Sequence, residues 1–143
     1  MTNPLVIRPF DEKDTDAVVG VWQRCNLVRP WNDPHKDIRR KLAVSPELFL
    51  VGELHGELMA TVMGGYDGHR GWIYYLAVDP AHQQKGYGRI LMGTIAEKLL
   101  ALGCPKINLQ VRTSNTEVIA FYESIGFTQD EVVSFGKRLI PDN

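Results

Sequence analysis

The run Leu76-Ala77-Val78-Asp79-Pro80-Ala81-His82-Gln83-Gln84-Lys85-Gly86-Tyr87-Gly88-Arg89 constrains this chain more than any other. Before it lies the most aromatic, strand-like segment, Gly71 to Val78, which Asp79 and Pro80 end. After it, from Gly86 to Leu102, the apolar spacing turns helical, with Leu91, Ile95, Leu99 and Leu102 on one stripe and Gly103 at the C-terminal cap. A strand therefore feeds a helix through a glycine-rich turn. Glycines let the backbone approach a ligand closely, and the N–H groups that open a helix point at an anion. Lys85 and Arg89 add positive charge at the same mouth. Walker A requires Gly-Lys-Ser/Thr, and the dinucleotide fingerprint requires a third glycine where this chain has Leu91, so neither phosphate loop fits. The local alternative is that Gly86 and Gly88 only shape the turn.

The rest of the chain supplies the layers around this unit. Leu5 to Arg8 forms a first strand, and Asp11 or Asp14 caps a helix whose face carries Val18, Val21, Trp22 and Cys25. Asn26 to Pro34 is a loop, and Asp33-Pro34 opens a second helix through about Val44. Leu48 to Leu54 and Glu57 to Met63 make an antiparallel hairpin about His55-Gly56. Lys106 to Val111 is extended, and Asn115 caps a last helix bearing Val118, Ile119, Tyr122 and Ile125, which Gly126 stops before a closing pair of strands up to about Leu139. The order gives an α+β, or mixed α/β, fold around one central sheet. With no repeat and no linker, a single domain over 1–143 is expected.

The charges set limits on partners. Sixteen basic and seventeen acidic residues are interspersed to a net of -1, leaving no single-sign field for a duplex or an anionic bilayer. Arg39-Arg40-Lys41 reads as a solvated helix face. Neither nucleic acid nor membrane is an expected partner, and no run approaches a membrane span. Cys25 and Cys104 stand apart without metal or redox spacing, which fits buried thiols in a cytoplasmic protein. Asp33, His35 and Asp37 do not converge as ligands, so no metal is expected.

Gln83, Gln84, Lys85, Gly86, Tyr87, Gly88 resembles the acyl-CoA motif of the GNAT superfamily of N-acetyltransferases, Gln or Arg, two residues, Gly, one residue, then Gly or Ala. The Val78-Asp79-Pro80 strand end before it, the long helix after it, and the later Asn115, Ala120, Phe121-Tyr122-Glu123 and Gly126-Phe127 are similar to that family too. The resemblance spans nearly the whole chain. It implies a mostly antiparallel central sheet flanked by helices, and an enzyme that moves an acetyl group from acetyl-CoA, or another acyl-CoA, directly to a primary amine.

The resemblance also implies site residues. Backbone at Leu76, Ala77 and Val78 would splay from its neighbour and bond the pantetheine arm, and Gln83, Gln84, Lys85, Gly86, Tyr87, Gly88 and Arg89 would form the pyrophosphate loop. Asn115 would lie near the cofactor, as a contact or only as a helix cap. Tyr122 matches the family tyrosine beside the sulfur, where a phenol stabilises the departing thiolate; from spacing alone it is a core-facing residue. Trp22, Arg29, Trp31, Tyr66 and Asp67 would border the acceptor groove, while from the residues alone Trp22 reads equally as core and Arg29 as surface. The acceptor is then an amine-bearing small molecule or a peptide or protein N-terminus, and a homodimer is compatible with the fold. Glu53, Asp67, His69, Tyr74 and Tyr75 all lie near the groove without a spacing that marks one as general base. The other functions open are a noncatalytic CoA-binding regulatory module and a structural or interaction domain without cofactor.

Overall fold

The computed structural model describes residues 4–142. Five strands form one sheet in the order β1 (Leu5–Pro9), β2 (Phe49–Leu54), β3 (Glu57–Tyr66), β4 (Gly71–Val78) and β5 (Ile107–Leu109). The first three pairings are antiparallel and the β4–β5 pairing is parallel. The β2–β3 turn is the expected tight hairpin. His55 and Gly56 both take left-handed backbone, φ 51° and 81°, as a two-residue turn matched to strand twist requires.

Strand alternation sorts the core into two layers. Leu50, Ala60, Val62 and Ile73 face the helix α3 (Tyr87–Ala101), which buries Leu91, Ile95 and Leu99 completely. Phe49, Val51, Met63 and Ala77 face the other side, where α1 (Thr15–Arg24) brings Val18, Val21 and Trp22 and α2 (Pro34–Leu42) brings Ile38. The last helix is α4 (Thr116–Ser124). Leu102, expected on the α3 stripe, is the C-cap and is exposed, because the stripe ends one turn earlier at Leu99. α3 lies close to β3: a Cβ on Gly64 would sit 2.8 Å from Ile95 Cγ1.

Caps fall largely where the residue types place them. Asp33 accepts from His35 N–H at 2.9 Å at the start of α2, and Asn115 accepts from Val118 N–H at 3.3 Å at the start of α4. Asp11 caps a short 3-10 turn, Glu12–Asp14, that leads into α1 rather than α1 itself.

The closing pair of strands is not formed among the described residues. From Thr128 the chain runs without regular structure, leaving Val132, Val133 and Phe135 exposed. It is held by polar side chains instead of a ladder. Asp130 accepts from Lys106 and Asn108, each at 3.2 Å, Ser134 meets Gln110, and Arg138 meets Asn32. The stretch ends on α2, where the buried Asp142 carboxylate accepts from Asp33 N–H at 2.7 Å and pairs with Arg40 at 2.8 Å. Strand-like composition does not form a strand here because side chains have taken over the tethering. Among the described residues no helix is long and apolar enough to cross a membrane.

Candidate active site

Strand β4 outruns its parallel neighbour. β5 matches it only at Gly71, Trp72 and Ile73, and from Tyr74 to Val78 that edge of β4 has no strand partner among the described residues. The divergence opens a cavity of about 890 Å³. On one side stand Arg29 and Trp31 from the α1–α2 loop with Asp37 and Lys41 from α2. Facing them are Arg112, Asn115 and Tyr122, and Tyr74, Tyr75 and Leu76 of β4 form the back.

A bulge shapes that back wall. The β3–β4 register shifts between Thr61 and Met63, and Tyr75 takes φ 52°, a strained backbone for a residue with a Cβ. A buried relay holds it. Trp22 Nε1 donates to Thr61 Oγ1 at 2.9 Å, and Thr61 Oγ1 donates to the Tyr75 carbonyl at 2.7 Å. The Tyr75 ring stacks on Trp22 at 3.8 Å, and its hydroxyl donates to Asp37 Oδ2 at 2.6 Å. Burial, then the Asp37 carboxylate, raises the Tyr75 pKa, so it stays a neutral donor and is a poor base. Trp22 is thus a fully buried brace behind the bulge, not part of the groove wall where the family resemblance put it.

Tyr122 is nine per cent exposed and wedged edge-on between Phe121 and Phe127, at 5.1 and 5.5 Å. Its hydroxyl makes no hydrogen bond among the described residues, and burial pushes its pKa up to about 12. A neutral phenol with an unused O–H therefore lies in the cavity wall.

The glycine loop sits beyond this cavity, whose lining includes none of Gln83 to Arg89. Gln84 and Gly86 have φ 63° and 86°, and α3 begins without a side-chain cap. Its first-turn N–H groups at Tyr87, Gly88 and Arg89 precede any intrahelical acceptor, which leaves them for an anion. Lys85 and Arg89 are exposed beside them. Two motif residues serve the loop itself: Gln83 Nε2 donates to the Val78 carbonyl at 2.9 Å, which Cys25 Sγ also approaches at 3.2 Å. Gly88 lets α4 approach, since a Cβ there would lie 3.3 Å from Phe121 Cζ.

Arg29, Trp31, Leu76, Asn115 and Tyr122 come together around the cavity, whereas Tyr66 and Asp67 do not line it. The Tyr66 hydroxyl reaches the Gly103 carbonyl at 3.4 Å, and Asp67 caps its own turn at His69 and Arg70. Glu53 is engaged by Arg8. Sequence reasoning passed over Asp37, Lys41 and Arg112 as cavity residues. The signal was there on α2: Asp37 and Lys41 stand four apart on one helical face, and Val44 follows three residues later, just past the helix end. Arg39-Arg40-Lys41 is accordingly not one solvated face, because Lys41 is half-buried and Arg40 is paired with Asp142.

A parallel strand that diverges from a bulged β4, ahead of an uncapped helix behind a glycine turn, defines an acyl-CoA transferase of the GNAT type. The sequence profile of the Acetyltransferase (GNAT) family matches residues 16–127, and the chain belongs to that family. It is 50% identical over 136 residues to an acetyltransferase of Pectobacterium atrosepticum, covering 95% of this chain and 96% of that one. Among solved structures it is similar to Ard1 from Thermoplasma volcanium, with TM-score 0.76, 27% identity, and 88% and 84% of the two chains covered. The ribosomal-protein-S18-alanine N-acetyltransferase from Escherichia coli matches with TM-score 0.73 and 25% identity over 88% of this chain and 79% of that one.

Proposed function

We propose that this protein transfers an acetyl group from acetyl-CoA directly to a primary amine, with Tyr122 at the reacting end of the cleft. The observation that carries the reading is the unpartnered Tyr122 hydroxyl in the wall of the cavity that β4 and β5 open. The residues fit the cofactor. The strand-free edge of β4 at Leu76, Ala77 and Val78 offers backbone groups to an amide-bearing arm, apart from the Val78 carbonyl that Gln83 and Cys25 already occupy, and the first-turn N–H groups of α3 with Lys85 and Arg89 suit a pyrophosphate. Asn115 is the α4 cap and also lines the cavity, so it can serve both roles the sequence left open for it.

When bound, acetyl-CoA supplies an acetyl group activated as a thioester. The chain's part is to orient, exclude water and hold a proton. With the cofactor bound, Tyr122 would donate a hydrogen bond toward its sulfur, the atom that takes up charge when the acetyl group passes to the amine. With its pKa at about 12, above the roughly 8.5 of a simple thiol, the phenol stabilises the thiolate without giving up its proton outright. The ammonium proton of the acceptor leaves through water, since the cavity's Asp37 is occupied by Tyr75. Among the described residues neither cysteine has a histidine hydrogen-bonded to it, which favours direct transfer over an acyl-enzyme.

The test is calorimetric titration with acetyl-CoA together with CoA-thiol release over an amine panel. Micromolar binding with amine-dependent release supports the reading. Binding without release on any amine would make the protein a noncatalytic CoA-binding module, and no binding would remove the cofactor altogether.

A further inference from the structure

The charges inside the cleft do not balance. Arg29, Arg40, Lys41 and Arg112 line it, against one carboxylate, Asp37. Asp37 already accepts from the Tyr75 hydroxyl at 2.6 Å and pairs with Arg40 at 3.4 Å, and Arg40 is further neutralised by Asp142 at 2.8 Å. The other three cations make no ion pair with a carboxylate among the described residues, and only Glu47 acts on Lys41 from a longer distance. Lys41 Nζ donates only to the Gly64 carbonyl at 2.5 Å, Arg112 lies over the Trp31 ring at 5.7 Å, and the Arg29 side chain makes no hydrogen bond or ion pair.

Lys41 bears most on this imbalance. It is half-buried, and desolvation lowers its pKa, with Glu47 opposing, so an anion beside it would offset the cost of burying its charge. The cofactor's pyrophosphate does not explain the excess, because none of Gln83 to Arg89 lines this cavity. The same helix already takes a carboxylate from the chain itself, Asp142, on Arg40 and the Asp33 N–H.

We propose that the acceptor is a small amine that also carries a carboxylate, an amino-acid-like molecule, with that carboxylate held by Lys41, Arg29 and Arg112 and its apolar part against Trp31 and Tyr74. The proposal rests on the acyltransferase reading and narrows it. Polycations are disfavoured by the same wall, since they would meet three unpaired cations and a carboxylate that is already engaged.

The experiment measures CoA-thiol release from acetyl-CoA with matched acceptors: amino acids, their carboxamides, aminoalkylphosphonates, spermidine and an aminoglycoside. The acid is expected to exceed its carboxamide in kcat/KM by at least about tenfold, a ratio that shrinks with added salt. Arg29→Gln and Lys41→Gln should each cut that ratio by about threefold or more, with acetyl-CoA affinity unchanged by calorimetry. Arg29, which has no side-chain partner, keeps the test open if Lys41→Gln does not fold. Equal rates for acid and carboxamide, preference for a polycation or a phosphonate, a ratio indifferent to both substitutions, or acetyl-CoA binding with no panel member acetylated would each overturn the proposal. Absence of acetyl-CoA binding would instead bring down the transferase reading on which it rests.

Discussion

The Tyr75 hydroxyl donates a 2.6 Å hydrogen bond to Asp37 Oδ2, tying the bulged strand β4 to helix α2 across the back of the cavity. Tyr75→Phe keeps the stacking on Trp22 and removes only this bond to a charged acceptor. The expected loss of stability is about 1–2 kcal/mol, read by urea denaturation. The acceptor KM should rise while acetyl-CoA Kd holds, because the α2 wall loosens and the glycine loop does not. Equal losses in both constants would show that the bond supports the whole cleft.

Thr61→Val tests the relay behind the bulge. Valine matches the threonine shape but leaves the Trp22 indole N–H and the Tyr75 carbonyl without their buried partner. The cost should be about 2–3 kcal/mol, a fall in Tm of roughly 4–10 °C for a domain of this size, seen by thermal melting. An unchanged Tm would mean that the bulge holds itself.

How much of this was legible in the sequence depended on how local the determinant was. His55-Gly56, Asp33-Pro34 and the Gly86 turn declare themselves through backbone chemistry that neighbouring residues alone decide, and they were read correctly. The antiparallel β2–β3 hairpin was legible from the residues, and the mostly antiparallel sheet as a whole followed from the family resemblance. Trp22 stays open between groove and core because an indole on an amphipathic helix has the same spacing whether it faces a groove or braces a bulge; Thr61, thirty-nine residues away, decides for the core. The terminal strands failed for a similar reason. Val132, Val133 and Phe135 have strand composition, but Asp130 and Asp142 fasten the segment through Lys106, Asn108 and Arg40, contacts with no local signature. Lys41 was hidden in a basic run whose three members face different surroundings.

Gly86 and Gly88 separate two uses of glycine. At Gly86 a Cβ would meet open space, but φ 86° penalises any side chain, so Gly86→Val distorts the turn itself. Acetyl-CoA affinity should fall at least about tenfold, or 1.4 kcal/mol. Gly88→Val should also push Phe121 aside and lower Tm, with a loss of turnover through its neighbour Tyr122. Calorimetry beside thermal melting distinguishes them, and unchanged affinity in folded Gly86→Val would remove the loop from the cofactor site.

The titration of Tyr122 predicts the alkaline behaviour. Its folded pKa, about 12, lies above the unfolded value of about 10, so the folded state keeps a proton that the unfolded state loses. Its contribution is intact below about pH 10 and falls by about 2–3 kcal/mol as pH rises to 12, with Tyr75 shifted in the same direction. At the acid end, Arg8 at 2.7 Å and the Asp11 N–H hold the Asp14 carboxyl below its usual range, so stability present above about pH 4 is lost as pH falls. Thermal melts from pH 3 to 11 should show a plateau with both shoulders, and Asp14→Asn should reduce the acid one without removing it, because Asp142, Asp67 and Asp79 are shifted in the same direction. Stability rising between pH 10 and 11 would contradict the placement of Tyr122.

Single-turnover transfer by Tyr122→Phe, with calorimetric acetyl-CoA affinity on the same preparations, tests the central claim most directly. Phenylalanine keeps the ring between Phe121 and Phe127 and deletes an oxygen that bonds to nothing else among the described residues, so folding and cofactor affinity should stay close to those of the unsubstituted protein. The rate of acetyl transfer to a verified amine should fall by roughly 10²-fold, about 2.7 kcal/mol, because the departing sulfur loses its donor. A chemical rate unchanged in Tyr122→Phe, with acetyl-CoA still bound, would contradict the account and return Tyr122 to the core as a packed aromatic residue.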